Sequence, residues 1–219
     1  MKTVSILGCG WTGQALKESL TLQSDEVFCL SRDIKANNEA QMYDRDTFVI
    51  AIPPRDNYLE VLEMTLKKLD VSTQVILLSS ISFYDGKALV VQAEALVQKM
   101  HPDVIVLRLG GLMGYDRIAG KYTAGKVLTS DSRTNYIHRD DVLGIIESII
   151  EQNIRSEIFD VVAPVQSSKK KIFAKNAKRF GFKETEFLKG DKKGKVLSAT
   201  KLCDVLGYTF KKEDVEKFW

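Results

Sequence analysis

Val4-Ser5-Ile6-Leu7-Gly8-Cys9-Gly10-Trp11-Thr12-Gly13 is the stretch on which the reading of this chain turns. Four residues suited to a buried strand run into a G-x-G-x-x-G, and Ala15, Leu16, Leu20 and Leu22 then recur at helical spacing. Glycine spacing alone recurs by chance; between a strand and a helix it acquires a physical meaning. Gly8 permits a tight turn, Gly10 lets the backbone approach a pyrophosphate, and Gly13 lets the helix pack closely on the strand. The helix start at Trp11 and Thr12 then offers N–H donors and the positive end of the helix dipole to phosphates.

Outward from this turn, strands and helices alternate. Glu26 to Leu30 reads as a second strand, and Thr47 to Ile52 as another, stopped by Pro53-Pro54. Tyr58, Val61, Leu62, Leu66 and Leu69 form an amphipathic helical pattern, and Gln74 to Leu78 a strand that opens into Ser79-Ser80-Ile81-Ser82. Ala88 to Met100 reads as a helix, Val104 to Leu109 as a strand, Val142 to Ile150 as a helix opened by Asp140 and Asp141, and Glu157 to Val162 as the last clear strand. Lys170 to Phe180 reads as a helix closed by Gly181 in a left-handed cap. The stretch from Asp33 to Asp46 is polar and weakly patterned, so a third strand there is short, degraded or absent. The alternation predicts an α/β fold, a doubly wound parallel sheet of the Rossmann type with a small carboxy-terminal α/β region. The expected division is a nucleotide-binding domain over 1–163 and a substrate-side region over 164–219.

Composition sets the outer bounds. The 219 residues are 44% hydrophobic and 28% charged, which fits one compact globular domain or one with a small appendage and excludes disordered and collagen-like classes. The longest apolar runs, such as Val75 to Leu78, fall far short of the roughly 20 residues of a membrane-spanning helix. The amino terminus runs straight into the glycine turn, as a strand does and a signal peptide does not. Cys9, Cys29 and Cys203 are few, odd in number and widely spaced, so neither a zinc ribbon nor a disulfide framework is expected, and two histidines supply no metal site. The expected setting is a reducing cytoplasm. Residues 164–219 carry 15 Lys and Arg against 7 Asp and Glu, while residues 1–163 carry 17 against 22. Aromatic residues are sparse along the basic stretch, so it reads as a solvated lysine face and no nucleic-acid partner is expected.

The nucleotide is chosen at the end of the second strand. An acidic residue there bonds the ribose diol of NAD, and an arginine pairs with the 2′-phosphate of NADP. Ser31-Arg32-Asp33 stands at that place. Ser31 replaces the usual acid and Arg32 follows it, which favours NADP; Asp33 keeps NAD open.

With these residues in view, the chain resembles the short-chain dehydrogenase/reductase superfamily, in its atypical NAD-dependent epimerase/dehydratase form. The resemblance rests on the glycine motif, Ile50 to Pro53, Leu78-Ser79-Ser80-Ile81-Ser82-Phe83-Tyr84, Leu107 to Gly114, Tyr136-Ile137-His138-Arg139-Asp140-Asp141-Val142, and the late Lys195-Val196-Leu197-Ser198 with Leu206-Gly207-Tyr208. No one of these is specific; their order and spacing are. The resemblance implies a Rossmann domain with a small carboxy-terminal region on the substrate side. It also places Ala51, Ile52, Pro53, Ser79 and Gly110 beside the cofactor, together with Gly8, Gly10, Trp11, Thr12, Gly13, Ser31 and Arg32.

The family's chemistry uses a Ser or Thr with a Tyr-x-x-x-Lys whose Lys stabilises the phenolate, and a Glu follows four residues after the Lys. With Glu94 as that Glu, Val90 occupies the Lys position and Gly86 the Tyr position, so both are missing. Tyr122 and Lys126 have the spacing but come too late in the chain. Ser80 and Tyr84 are then the catalytic candidates: Ser80 as a donor to a substrate carbonyl, or a strand-end cap, and Tyr84 as a substitute acid/base, or a rim aromatic. His138 reads as structural and Cys9 as a small residue filling the turn, with a redox role for Cys9 as the alternative. Three functions fit: an NAD(P)-dependent oxidoreductase or epimerase acting on a small molecule as a monomer or homodimer, a nucleotide sensor that has lost the chemistry, and a reductase of the prephenate or pyrroline-carboxylate type. The last lacks the long helical dimer domain such enzymes need.

Overall fold

The computed structural model describes residues 2–23, 26–31, 40–188 and 195–219. In chain order the main elements are β1 (Thr3–Leu7), α1 (Trp11–Leu22), β2 (Glu26–Leu30), β3 (Thr47–Ile50), α2 (Tyr58–Leu66), β4 (Gln74–Ser80), α3 (Ala88–Met100) and β5 (Ile105–Leu109). They continue with β6 (Gly111–Met113), β7 (Val127–Leu128), β8 (Tyr136–His138), α4 (Arg139–Glu151), β9 (Ile158–Val161), α5 (Lys169–Phe180), β10 (Glu186–Phe187) and α6 (Thr200–Leu206).

Six strands form the parallel central sheet in the order β2-β1-β3-β4-β5-β9. Val4 pairs with Val27 on one side and Thr47 on the other, so β1 lies between β2 and β3. The winding therefore reverses at β1, and the crevice beyond the strands' carboxyl ends at such a switch point is where ligands of this fold sit. Period-two alternation divides the sheet's side chains between its faces. Leu7, Leu30, Phe48, Ile50, Val75, Leu77 and Val106 pack with Val61 and Leu62 of α2 and Ala93 and Val97 of α3. On the opposite face α1 and α4 are joined by a hydrogen bond from Ser19 Oγ to Glu147. The doubly wound parallel α/β fold expected from the alternation is the fold of the chain.

The predicted boundaries shift at particular places. β3 stops at Ile50, short of the expected end at Ile52, and β4 runs on to Ser80. α2 ends at Leu66, although Leu69 remains in the core. Asp140 and Asp141 stand in the first turn of α4, where carboxylates meet the positive helix end. Gly181 closes α5 with φ 69° and donates to Ala177 O at 2.9 Å. The disulfide between Cys9 and Cys29 overturns the expectation from cysteine spacing. The register of β1 on β2 sets Cys29 beside Ile6, and the turn brings Cys9 back over that pair. Spacing along the chain does not show such a juxtaposition. Among the described residues, no helix is long and apolar enough to cross a membrane.

The chain separates into two compact units, Met1–Arg108 with Leu143–Phe159 and Leu109–Val142 with Asp160–Trp219. The second holds all of 164–219 and also a stretch that the sequence grouped with the nucleotide-binding part. Its core gathers Ala119, Ala163, Ile172, Phe173, Val215 and Phe218. Within it the buried Asp141 accepts from Lys211 N at 2.7 Å, Lys212 N at 3.0 Å and Tyr208 Oη at 3.1 Å, tying the start of α4 to the carboxy-terminal segment.

Candidate nucleotide-binding site

The glycine turn lies at the carboxyl end of β1. Gly8 takes φ 103°, which L side chains rarely adopt, and a Cβ there would stand 2.8 Å from Ile52 Cγ2 and 3.0 Å from the Ala51 carbonyl. Gly8 N donates to Leu30 O at 2.9 Å and Ala51 N to Leu7 O at 2.8 Å, so Ala51 and the turn are locked beside each other. A Cβ on Gly13 would run into the Gly8 carbonyl oxygen, which explains that glycine as close packing. Gly10 differs: among the described residues, nothing stands within 4 Å of where its Cβ would be. It is the N-cap of α1, with no side-chain cap and no acidic residue in the first turn. A glycine backbone before the positively polarised end of a helix suits a pyrophosphate. Ser31 is exposed just after β2, and Arg32 lies outside the described residues.

At the carboxyl end of β4, one polar network joins two of the remaining candidates, Ser79 and Tyr84. Ser79 Oγ donates to Glu94 Oε1 at 2.5 Å, so its hydroxyl is committed to the protein and its backbone is what remains for a ligand. Arg108 donates from Nε and Nη2 to both Glu94 oxygens at 2.8–3.2 Å, and from Nη1 to Tyr84 Oη at 3.1 Å. Its guanidinium also lies 3.6 Å from the centre of the Phe83 ring. Burial pulls the Arg108 guanidinium down, but the bonds to Glu94 and Tyr84 outweigh it and hold it above its ordinary value. Ser80 caps the 3-10 turn Ile81–Asp85, accepting from Ser82 N at 3.2 Å and Ser82 Oγ at 3.0 Å. Two accepted bonds leave its own proton as the group it can offer a substrate oxygen.

No family model matches the chain. Among curated proteins, Protein YeeZ of Escherichia coli strain K12 is 24% identical over 272 residues, an alignment covering 98% of this chain and 97% of that protein. A protein provisionally assigned as an NAD-dependent epimerase/dehydratase from Methylobacillus flagellatus is 21% identical with a TM-score of 0.81, over 99% of this chain and 96% of that one. UDP-glucuronic acid 4-epimerase from Bacillus cereus, solved with UDP-glucuronic acid and NAD, is 16% identical with a TM-score of 0.75, over 94% and 93%. The chain has the epimerase fold.

The sequence expectation puts the Tyr and Lys of Tyr-x-x-x-Lys at Gly86 and Val90. Gly86 ends the 3-10 turn at φ 69° and α3 begins at Ala88, so Gly86 and Val90 share no helix face. Tyr122 is 71% exposed on a separate 3-10 turn, with Lys126 beyond its end. Sequence reading missed the partnership of Arg108 with Tyr84 and Glu94. Its signal was a lone arginine inside the apolar run Val104 to Leu109, which must find a partner when buried. Gly110 belongs to the second unit, where its N donates to Val161 O at 3.0 Å and a Cβ would meet the Asn135 carbonyl. Close packing therefore accounts for that glycine.

His138, also in the second unit, is 3% exposed and accepts from Asp140 N at Nδ1, 3.2 Å away. Burial lowers its pKa, more than nearby Asp140 and Asp141 raise it, so the ring is neutral and the 3.5 Å approach of Asp140 Oδ2 is not an ion pair near neutral pH. The unfolded chain, with His near about 6.5, takes up the proton first. His138 therefore supports stability above that pH, and the support is lost as pH falls through the depressed folded value. Denaturant midpoints between pH 7.5 and 5 should fall less steeply in His138→Gln than in the parent; equal slopes would contradict a buried neutral ring.

Proposed function

We propose that this protein is a nicotinamide-nucleotide-dependent oxidoreductase or epimerase of the atypical short-chain dehydrogenase/reductase kind, acting on a small molecule in the cytoplasm. The observation that carries the reading is the turn Gly8 to Gly13 at the sheet's switch point, with Gly10 as the N-cap of α1 and, among the described residues, no atom where its Cβ would be. The epimerase from Bacillus cereus holds NAD in the same fold, which supports a nicotinamide nucleotide here. Gly8, Gly10, Trp11, Thr12 and Gly13 would take the pyrophosphate, Ser31 and Arg32 the ribose, and Ala51, Ile52, Pro53 and Ser79 the remainder. In this reading residues 1–163 hold the nucleotide and 164–219 supply the substrate side.

NADP over NAD rests on Ser31-Arg32. A charge-assisted contact to the 2′-phosphate is worth about 1.5–3 kcal/mol, or roughly 10- to 150-fold. Titration of NADPH and NADH into the parent and Arg32→Ala should show that preference and its loss; equal dissociation constants, unchanged in the variant, remove it.

For chemistry the reading uses Ser80 as the hydrogen-bond donor and Tyr84 as the acid/base. The Arg108 guanidinium stands at the Tyr84 oxygen, where it does part of the missing lysine's work of stabilising charge there. Generic aldehydes and ketones should be reduced slowly or not at all, and turnover of a true substrate should fall about 10²- to 10⁴-fold in Tyr84→Phe. A substrate screen whose best turnover survives both Ser80→Ala and Tyr84→Phe would refute these roles. The absent dyad favours a second reading, a nucleotide sensor without catalysis, which predicts nucleotide binding and no turnover in the same screen.

A further inference from the structure

We propose that Cys9 and Cys29 form a thiol–disulfide site inside the nucleotide turn, and that its oxidation tightens nucleotide binding. The proposal rests on the reading of that turn as the nucleotide site, and adds to it a modification that controls occupancy.

The two cysteines come from the two elements a dinucleotide would have to bridge. Cys9 stands between Gly8 and Gly10, one residue before the N-cap of α1, on the pyrophosphate side. Cys29 is the fourth residue of β2, two before Ser31, on the ribose side. Their Cα atoms are 5.8 Å apart, within the range of about 4.4–6.8 Å that a disulfide spans, and the two are joined. Neither is sealed in the core: both are half-buried, within reach of a small thiol reagent. In a reducing compartment such a pair is a sensor and not a permanent staple.

Oxidation acts where the glycine turn meets the end of β2. Among the described residues, β2 ends the order of the central sheet and pairs with β1. Arg45 secures the start of β2, bonding Glu26 at 3.0 Å and lying over the Phe28 ring. At its other end the Gly8 N to Leu30 O bond and the disulfide join strand to turn. A change in this cross-link is felt at Cys9, flanked by two glycines, and near the end of β2 at Cys29. Oxidation thus fixes the pyrophosphate and ribose halves of the site relative to each other before the ligand arrives, and preorganisation of this kind raises affinity.

The exchange needs only a low-molecular-weight disulfide as oxidant. One protein thiolate attacks a sulfur of the reagent and expels one thiolate; the second protein thiolate attacks the mixed disulfide and expels the other. Two protein thiols lose two electrons and two protons, and the reagent leaves as two thiols. Cys203, the third cysteine, is not paired, and burial together with Asp204 pushes its thiol up, so it reacts poorly.

The full chain, equilibrated with oxidised glutathione or with dithiothreitol and then freed of both, should be titrated with NAD⁺ and with NADP⁺, which carry no reducing equivalents. Peptide mapping of the oxidised sample should show the Cys9–Cys29 cross-link with Cys203 alkylated. Affinity should be roughly tenfold higher in the oxidised protein, inside the 5- to 150-fold span of ordinary coupling between sites. By reciprocity, saturating nucleotide should make the disulfide harder to reduce by the same factor. Cys29→Ser should bind as the reduced parent does under both conditions, and Cys203→Ser should respond as the parent. Equal affinity in the two states, tighter binding by the reduced protein, or a map without the cross-link overturns the proposal while leaving the nucleotide site standing. Binding in neither state overturns both.

Discussion

Gly10→Val should abolish nucleotide binding and leave the protein's stability within about 1 kcal/mol of the parent. Gly10 has an extended backbone, φ −82° and ψ −155°, which valine accepts, and its Cβ would meet nothing within 4 Å among the described residues. The cost appears only when a pyrophosphate has to occupy that space. Gly13→Val is the internal control with the opposite signature. Its Cβ would run into the Gly8 carbonyl, so the penalty falls on the fold itself, about 1–3 kcal/mol or more for overpacking at backbone. Denaturant unfolding and calorimetric titration of the two variants separate a ligand position from a packing position. A Gly10→Val protein that binds like the parent would show that the nucleotide does not cross the turn.

Glu94→Ala should be the most destabilising of the single substitutions considered, by about 3–5 kcal/mol, because it strands a buried guanidinium. The Glu94 and Arg108 side chains are 2% and 12% exposed, so water cannot replace the lost carboxylate. At about 2–4 °C per kcal/mol for a chain of this size, Tm should fall by roughly 6–20 °C. Ser79 loses its acceptor in the same variant, and Tyr84 keeps a partner whose own anchor has gone. Replacing the pair together, Glu94→Leu with Arg108→Met, should recover much of the loss, since removing both charges also removes both desolvation costs. A Glu94→Ala protein less than about 1 kcal/mol below the parent would mean that solvent reaches the pair.

Much of the fold was legible because its strands are apolar runs of four to seven residues, and Ile6, Val49 and Ile76 could be placed in a sheet from the helices between them. The turn was legible because strand, glycines and helix occur in one short window. The short strands β6, β7, β8 and β10, of two or three residues, are too brief for a period-two pattern to form. Arg108 was visible as a charge inside a strand, yet its partners come from α3 and from the 3-10 turn after β4, and only folding brings them together. Cys9 and Cys29 posed the same difficulty in sharper form, since their meeting depends on the register of β1 on β2. The determinants of cofactor choice are legible only in sequence, because Arg32 lies outside the described residues.

The central claim is that a nicotinamide dinucleotide lies across Gly10 at the start of α1, and a crystal structure of the protein grown with NAD⁺ or NADP⁺ tests it most directly. The account predicts a pyrophosphate within hydrogen-bonding distance of the backbone N–H groups at Trp11 and Thr12, with the adenine ribose beside Ser31. A nucleotide bound anywhere else, or a turn left empty at saturating nucleotide, would contradict it.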